Sequence, residues 1–171
     1  MKQIFFITLV VVLLLSSFTF AGAVSPVDAK EPKILEFNTM VGVPAGLTGA
    51  QSQGPLRGIN GGGIPWVLSS ASGELSVSGK LEIEVQGLVL AAGANAGSNP
   101  AATFRALVSC ITSTGSVQNI LTDPFPATTG PAISGGGNAR IEAHVALPQP
   151  CIAPIIFVTS AGGSWFAATG F

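Results

Sequence analysis

The chain has 171 residues, of which 9% are charged and 47% hydrophobic, with 22 glycines and no tyrosine. That charged fraction lies far below the roughly one quarter usual in globular domains, and the net charge of −1 comes without a basic cluster. Nucleic acid and anionic membrane surfaces are therefore poor partners, because both are held by clustered Lys and Arg.

The chain opens with Lys2, an uncharged run over residues 4–15, and the small residues Ala21-Gly22-Ala23. A positive start, an apolar segment of this length and small side chains before a cut are the parts of a secretory signal peptide, here residues 1–23 with cleavage expected after Ala23. The uncharged stretch would be long enough for an anchor, which needs about 20 residues. Ser16-Ser17 interrupts it, however, and no basic residue follows directly. No cysteine lies near the cut, and no second apolar run is long enough to span. The mature chain is therefore expected to be secreted or held at the cell surface, without a stable membrane span. It keeps six basic residues, Lys30, Lys33, Arg57, Lys80, Arg105 and Arg140, against the eight acidic ones. Its length suits one domain.

Residues 24–33 read as a polar leader with Pro26 and Pro32. The single folded domain is expected over residues 34–171. Residues 34–43 form a half-alternating run ended by Pro44, and after a Gly-rich passage Trp66-Val67-Leu68 follows Pro65. Lys80-Leu81-Glu82-Ile83-Glu84-Val85-Gln86 alternates without fault, so Leu81, Ile83 and Val85 face a core. A two-residue turn at Ser78-Gly79 would set Leu75 opposite Glu82. A three-residue loop, Val77-Ser78-Gly79, pairs Leu75 with Leu81 and puts Gly79 where a left-handed residue is wanted. Gly87 then breaks the alternation, as a bulge or a sheet-switching bend would.

Residues 91–100 are small and loop-forming. Strands are expected at 104–112 and 117–121, followed by a Pro/Gly/Thr-rich connection over 123–137. Arg140-Ile141-Glu142-Ala143-His144-Val145 alternates again, and Pro148, Pro150 and Pro154 interrupt any ladder around Cys151. Residues 155–159, a Gly162-Gly163 turn and residues 165–169 close the chain. Eight or nine short strands separated by turn signals predict an all-β fold, an antiparallel β-sandwich of immunoglobulin-like or related type. Cys110 and Cys151 are the only cysteines. In an exported chain they are expected to form one structural disulfide.

The segments Arg57-Gly58-Ile59-Asn60-Gly61-Gly62-Gly63-Ile64-Pro65-Trp66, Phe104-Arg105-Ala106-Leu107-Val108-Ser109-Cys110, Cys151-Ile152-Ala153-Pro154-Ile155-Ile156-Phe157-Val158-Thr159-Ser160 and Trp165-Phe166-Ala167-Ala168-Thr169-Gly170 resemble those of short exported bacterial proteins without assigned function. The resemblance covers nearly all of the mature chain. It implies a bacterial origin and carries no catalytic residue across.

The residue inventory offers little chemistry. His144 is the single histidine, so a Ser-His-Asp triad would have to use it with Asp28, Asp123 or a glutamate. It sits on the solvent side of its strand beside Arg140 and Glu142, which reads as a polar surface residue. Glu82 and Glu84 share a strand face about 7 Å apart, within the range of glycosidase carboxylates. Catalytic acids usually come from different elements across a cleft, so both read as solvated strand residues. The run Gly58-Ile59-Asn60-Gly61-Gly62-Gly63 lacks the spacing and the Lys-Ser/Thr of a phosphate loop. It reads as tight turns or close packing against Trp66. No catalytic residue, metal site or cofactor is assigned, and calcium stays open because carbonyls and a few carboxylates bind it without a motif.

The expected function is a non-catalytic extracellular or cell-envelope interaction or structural domain with an extracellular protein or glycan as partner. The alternative is a small-ligand or glycan-binding module in which Trp66 or Trp165 stacks on a sugar ring. Exposed tryptophans beside Asn, Asp or Glu would favour that alternative, and buried ones the first reading. A hydrolase using His144 or Glu82/Glu84 is the remote third.

Overall fold

The computed structural model describes residues 31–49 and 54–169. The expected signal peptide, its cleavage site and most of the polar leader lie outside the described residues. Within them the chain is an antiparallel β-sandwich with a single hydrophobic core. Eight strands of four or more residues carry it: β1 (Lys33–Phe37), β4 (Ser70–Ser76), β5 (Lys80–Gln86), β8 (Thr103–Ile111), β9 (Val117–Leu121), β12 (Ala139–His144), β13 (Ile152–Thr159) and β14 (Trp165–Ala168). Six two-residue strands complete it: β2 (Val41–Gly42), β3 (Trp66–Val67), β6 (Val89–Leu90), β7 (Ser98–Asn99), β10 (Phe125–Pro126) and β11 (Gly130–Pro131). One sheet runs β1-β4-β5-β12; the other runs β10-β8-β13-β14-β2, with β9 also paired to β8.

The clearest alternating run forms β5. Leu81, Ile83 and Val85 are at most 2% exposed and belong to the same core as Phe104, Val108, Ile156 and Val158 of the opposite sheet. The hairpin has the three-residue loop, with Leu75 opposite Leu81 and Gly79 at φ +95°. Of the two readings of Gly87, the bend between sheets is the one found. β5 lies in the four-stranded sheet, whereas β6 pairs with β3.

Three stretches depart from expectation. The run over 34–43 splits at residues 38–40, so that β1 joins one sheet and β2 the other. β4 begins at Ser70, five residues before the Leu75 that marks the hairpin in the sequence, because backbone pairing to β5 carries a polar, small-residue strand. Asn99, read as a loop former, is 1% exposed. Its amide donates to the carbonyls of Ala101 (2.8 Å) and Thr128 (2.9 Å) and accepts from the Ala101 N–H (2.9 Å), tying two connections together.

Two buried threonines replace ladder bonds where strands stop. The Ala106 N–H donates to Thr122 Oγ1 at 3.0 Å between β9 and β10, and the Ile156 N–H donates to Thr169 Oγ1 at 3.0 Å beyond β14. Thr122→Val keeps the shape and strands the Ala106 donor in a buried site. A loss of about 1–2 kcal/mol in chemical denaturation is expected; an unchanged midpoint would show that the bond carries no net stability.

Residues 57–62 are tied to the six-stranded sheet at three of its strands, and Gly61 bridges to Trp165 of β14. Asn119 Nδ2 on β9 donates to the Arg57 carbonyl (3.1 Å), Arg57 Nη2 donates to the Ala153 carbonyl (3.0 Å), and the Trp165 N–H donates to the Asn60 carbonyl (3.0 Å). The consecutive residues Ile156, Phe157 and Val158 of β13 are all fully buried, whereas a strand with one solvated face buries alternate residues only, and the Phe157 ring packs edge to face against Trp165.

Candidate interaction face

On β5 the residues alternating with the core set, Lys80, Glu82, Glu84 and Gln86, point away from it. Strand register extends this pattern across the sheet. Glu36 stands opposite Glu74, Glu74 opposite Glu82, and Glu82 opposite Glu142, so four glutamates from β1, β4, β5 and β12 form one row. Neighbouring strands lie about 4.8 Å apart, a spacing at which like charges repel. The cations are set to offset this. Lys33 Nζ reaches Glu36 Oε1 at 2.9 Å and also pairs with Glu74, Lys80 Nζ reaches Glu82 Oε1 at 2.6 Å, and Arg140 pairs with Glu142. Lys33 can serve two carboxylates because the bulge between Lys33 and Leu35 returns it to the face of Glu36.

The next row holds Ser72, Glu84 and Arg140, and Lys80 with His144 stands on the other side. Glu36, Asn38, Ser72, Glu74, Glu84 and Arg140 are among the residues bordering an open groove of about 580 Å³. Phe37 also borders it, and its ring lies close over Gly73, where a Cβ would come within 2.7 Å of the ring. The Glu31 carboxyl is held below the usual carboxylate range, first by the Ser78 hydroxyl and also by the Ser78 N–H, which donates to Oε1 at 2.9 Å. Lys80 and Arg140 are held above their ordinary values by hydrogen bonds to Glu82 and Glu142 respectively, and both remain solvent-exposed.

The residues singled out in the sequence are distributed as follows. Glu82 and Glu84 share this open face, and His144 is exposed across from Lys80. Trp66 and Trp165 are 4% and 1% exposed. Trp66 stacks on Phe166 with ring centroids 3.9 Å apart, and Trp165 meets Phe157 edge to face. A buried indole presents no face to a sugar ring, so their burial favours the contact-domain reading over stacking. Cys110 and Cys151 form the disulfide, with Cα atoms 5.0 Å apart, joining β8 to the segment that enters β13. The glycine run lies against the core: a Cβ on Gly62 would stand 3.0 Å from the Phe166 ring and 3.2 Å from Trp66 Nε1.

Sequence reading missed the glutamate row and Phe37. Each glutamate is visible as an outward residue of its own strand, but their alignment depends on three pairing registers. Among the described residues no group of three or more His, Cys, Asp or Glu is placed to hold a metal ion, and no helix is long and apolar enough to cross a membrane. Comparison with protein-family models, curated proteins and solved structures finds no match.

Proposed function

We propose that this chain is an exported β-sandwich that works by contact, as an extracellular or cell-envelope interaction or structural domain, through the outer face of its four-stranded sheet. The observation that carries this reading is where the charge lies. Of the twelve charged side chains among the described residues, eight stand on β1, β4, β5 and β12, namely Lys33, Glu36, Glu74, Lys80, Glu82, Glu84, Arg140 and Glu142. Five carboxylates against three cations fit a partner surface that presents Lys or Arg, and binding of that kind weakens with salt. Export by a signal peptide cleaved after Ala23 and the bacterial origin implied by the resemblance belong to the same reading. The disulfide supports an oxidising compartment, and N-terminal sequencing of the exported chain tests the cut.

The experiment is thermal unfolding of the purified chain with a lysine-rich peptide, peptidoglycan fragments and glycans. A ligand at a hundredfold excess over its Kd stabilises the folded state by about 2.7 kcal/mol. The expected result is a rise in midpoint with the cationic peptide, abolished by 0.5 M salt as roughly expected from a Debye length near 4 Å, and abolished by Glu74→Gln with Glu84→Gln. No rise with any cationic ligand would overturn the contact face, as would a hydrolytic activity removed by His144→Ala or Glu82→Gln.

A glycan-binding reading is favoured by one observation, the half-buried Phe37 beside Asn38 and Glu84 in the groove. A salt-insensitive rise with a glycan, lost in Phe37→Ala, would replace the first reading.

A further inference from the structure

The open edges of the two sheets are not alike. β1 carries Lys33 and Glu36, follows Pro32 and contains a bulge. β12 carries Arg140, Glu142 and His144 and is followed by Pro148 and Pro150. β2 is covered, because the Trp66 N–H donates to the Val43 carbonyl beyond it at 3.0 Å. Charges, prolines and bulges are the means by which proteins keep an edge from pairing with another chain. The remaining edge, β9, reads Val117-Gln118-Asn119-Ile120-Leu121 and has none of them within the strand, Asp123 and Pro124 following it where the chain turns into β10.

The hydrogen-bond parity of β9 is set at both of its ends. The Thr112 N–H donates to the Ser116 carbonyl (2.9 Å), and the Thr122 N–H donates to the Ala106 carbonyl (2.9 Å). Alternation along an antiparallel ladder then turns the backbone groups of Gln118 and Ile120 toward β8 and those of Val117, Asn119 and Leu121 out of the sheet. The two apolar side chains at these outward positions are solvent-exposed, Val117 by 48% and Leu121 by 36%.

We infer that β9 is a self-association edge, pairing antiparallel with β9 of a second copy of this chain about a twofold axis at Asn119. In that register Asn119 faces Asn119, and each Val117 faces Leu121 of the other copy. All three pairs are then of the hydrogen-bonded type, each exchanging two backbone bonds. The pairing brings the exposed valine and leucine together and sets no like charges opposite each other. Asp123, the nearest charge along the chain, falls opposite Gly115 of the second copy. A C2 contact requires a self-complementary patch, and an uncharged five-residue edge whose outward residues are symmetric about its centre is one. At β1 or β12 the same operation would face ionised side chains and a bulge or prolines. The inference does not depend on the contact face proposed above, which lies on the other sheet.

The test is sedimentation equilibrium of the purified exported chain, freed of residues 1–23, over roughly 1–300 µM, the range in which a small interface associates. The chain is expected to shift toward twice its monomer mass as concentration rises. Val117→Lys with Leu121→Lys sets lysine against lysine at both ends of the pair and is expected to leave a monomer. Val117→Lys with Leu121→Glu sets lysine against glutamate and is expected to restore the dimer, a rescue that only this register predicts. Circular dichroism checks that both variants fold; if the first does not, the second decides. A wild-type chain monomeric throughout, a dimer surviving the two lysines, or a failed rescue would overturn the inference. So would a monomer whose β9 amides are protected from exchange only by an added uncharged peptide, which would assign the edge to another protein.

Discussion

Replacing both Cys110 and Cys151 with alanine is expected to lower stability by about 4 kcal/mol, the chain-entropy value for a loop of this size. The bond spans 41 positions, so it restrains the unfolded chain over a long stretch that includes β9, β10, β11 and β12. In the folded chain it ties the buried Cys110 of β8 to the residue before β13, where Ala153 takes a left-handed φ of +45° and the register shifts between Ile152 and Ile155. Pro150 and Pro154 flank this entry. The backbone ladder is therefore weak where the cross-link is strong. Differential scanning calorimetry of the double variant should show a midpoint lower by roughly 8–16 °C for a domain of this size. A fall of only a degree or two would mean that the β8–β13 ladder holds this corner without the bond.

The second large effect is expected within the glycine run, and it discriminates between neighbours. A Cβ on Gly61 would lie 2.1 Å from the Leu47 carbonyl oxygen and 2.7 Å from a Val43 methyl. Gly61 bridges to Thr48, next to Leu47, on one side and to Trp165 on the other, so its backbone cannot move off the Leu47 carbonyl without disturbing a backbone pairing. Gly61→Ala is expected to cost about 3 kcal/mol, the upper range for overpacking. Gly63, two residues on, has open space at its Cβ and no left-handed φ. Gly63→Ala is expected to be neutral or to stabilise by up to about 1 kcal/mol through the unfolded state. Urea denaturation of the two variants checks the contrast, and equal effects would refute the packing account. Flexibility alone predicts no such contrast, because both positions are glycines of one run.

The candidate face was half legible. The alternation of Lys80 to Gln86 and of Arg140 to Val145 identifies which residues of β5 and β12 point outward, since side-chain period is a local property of an extended chain. That Glu36, Glu74, Glu82 and Glu142 form one row is not local. It requires pairings between residues up to 60 positions apart, Glu82 with Glu142 being the most distant, and a one-residue slip in any of them would break the row. Phe37 was hidden for a related reason: its partner is Gly73, and only that pairing leaves room for the ring at the groove. The buried Asn99 and Thr122 were hidden because a polar residue is drawn into a core only when tertiary structure supplies backbone groups for it to satisfy.

By itself the sequence determined the strand class, the main alternating strands, the three-residue hairpin with Gly79 at its left-handed position, and the pairing of the only two cysteines. Each follows from side-chain period, turn chemistry or simple counting, all of which act over a few residues or admit one solution. Only the tertiary structure decided that the run over 34–43 divides between two sheets, that both tryptophans are buried, and that charge gathers on one face while β9 is left uncharged at an edge. These depend on which strands become neighbours, and that choice is made by core packing and by the backbone's need to pair its hydrogen-bonding groups across the whole chain.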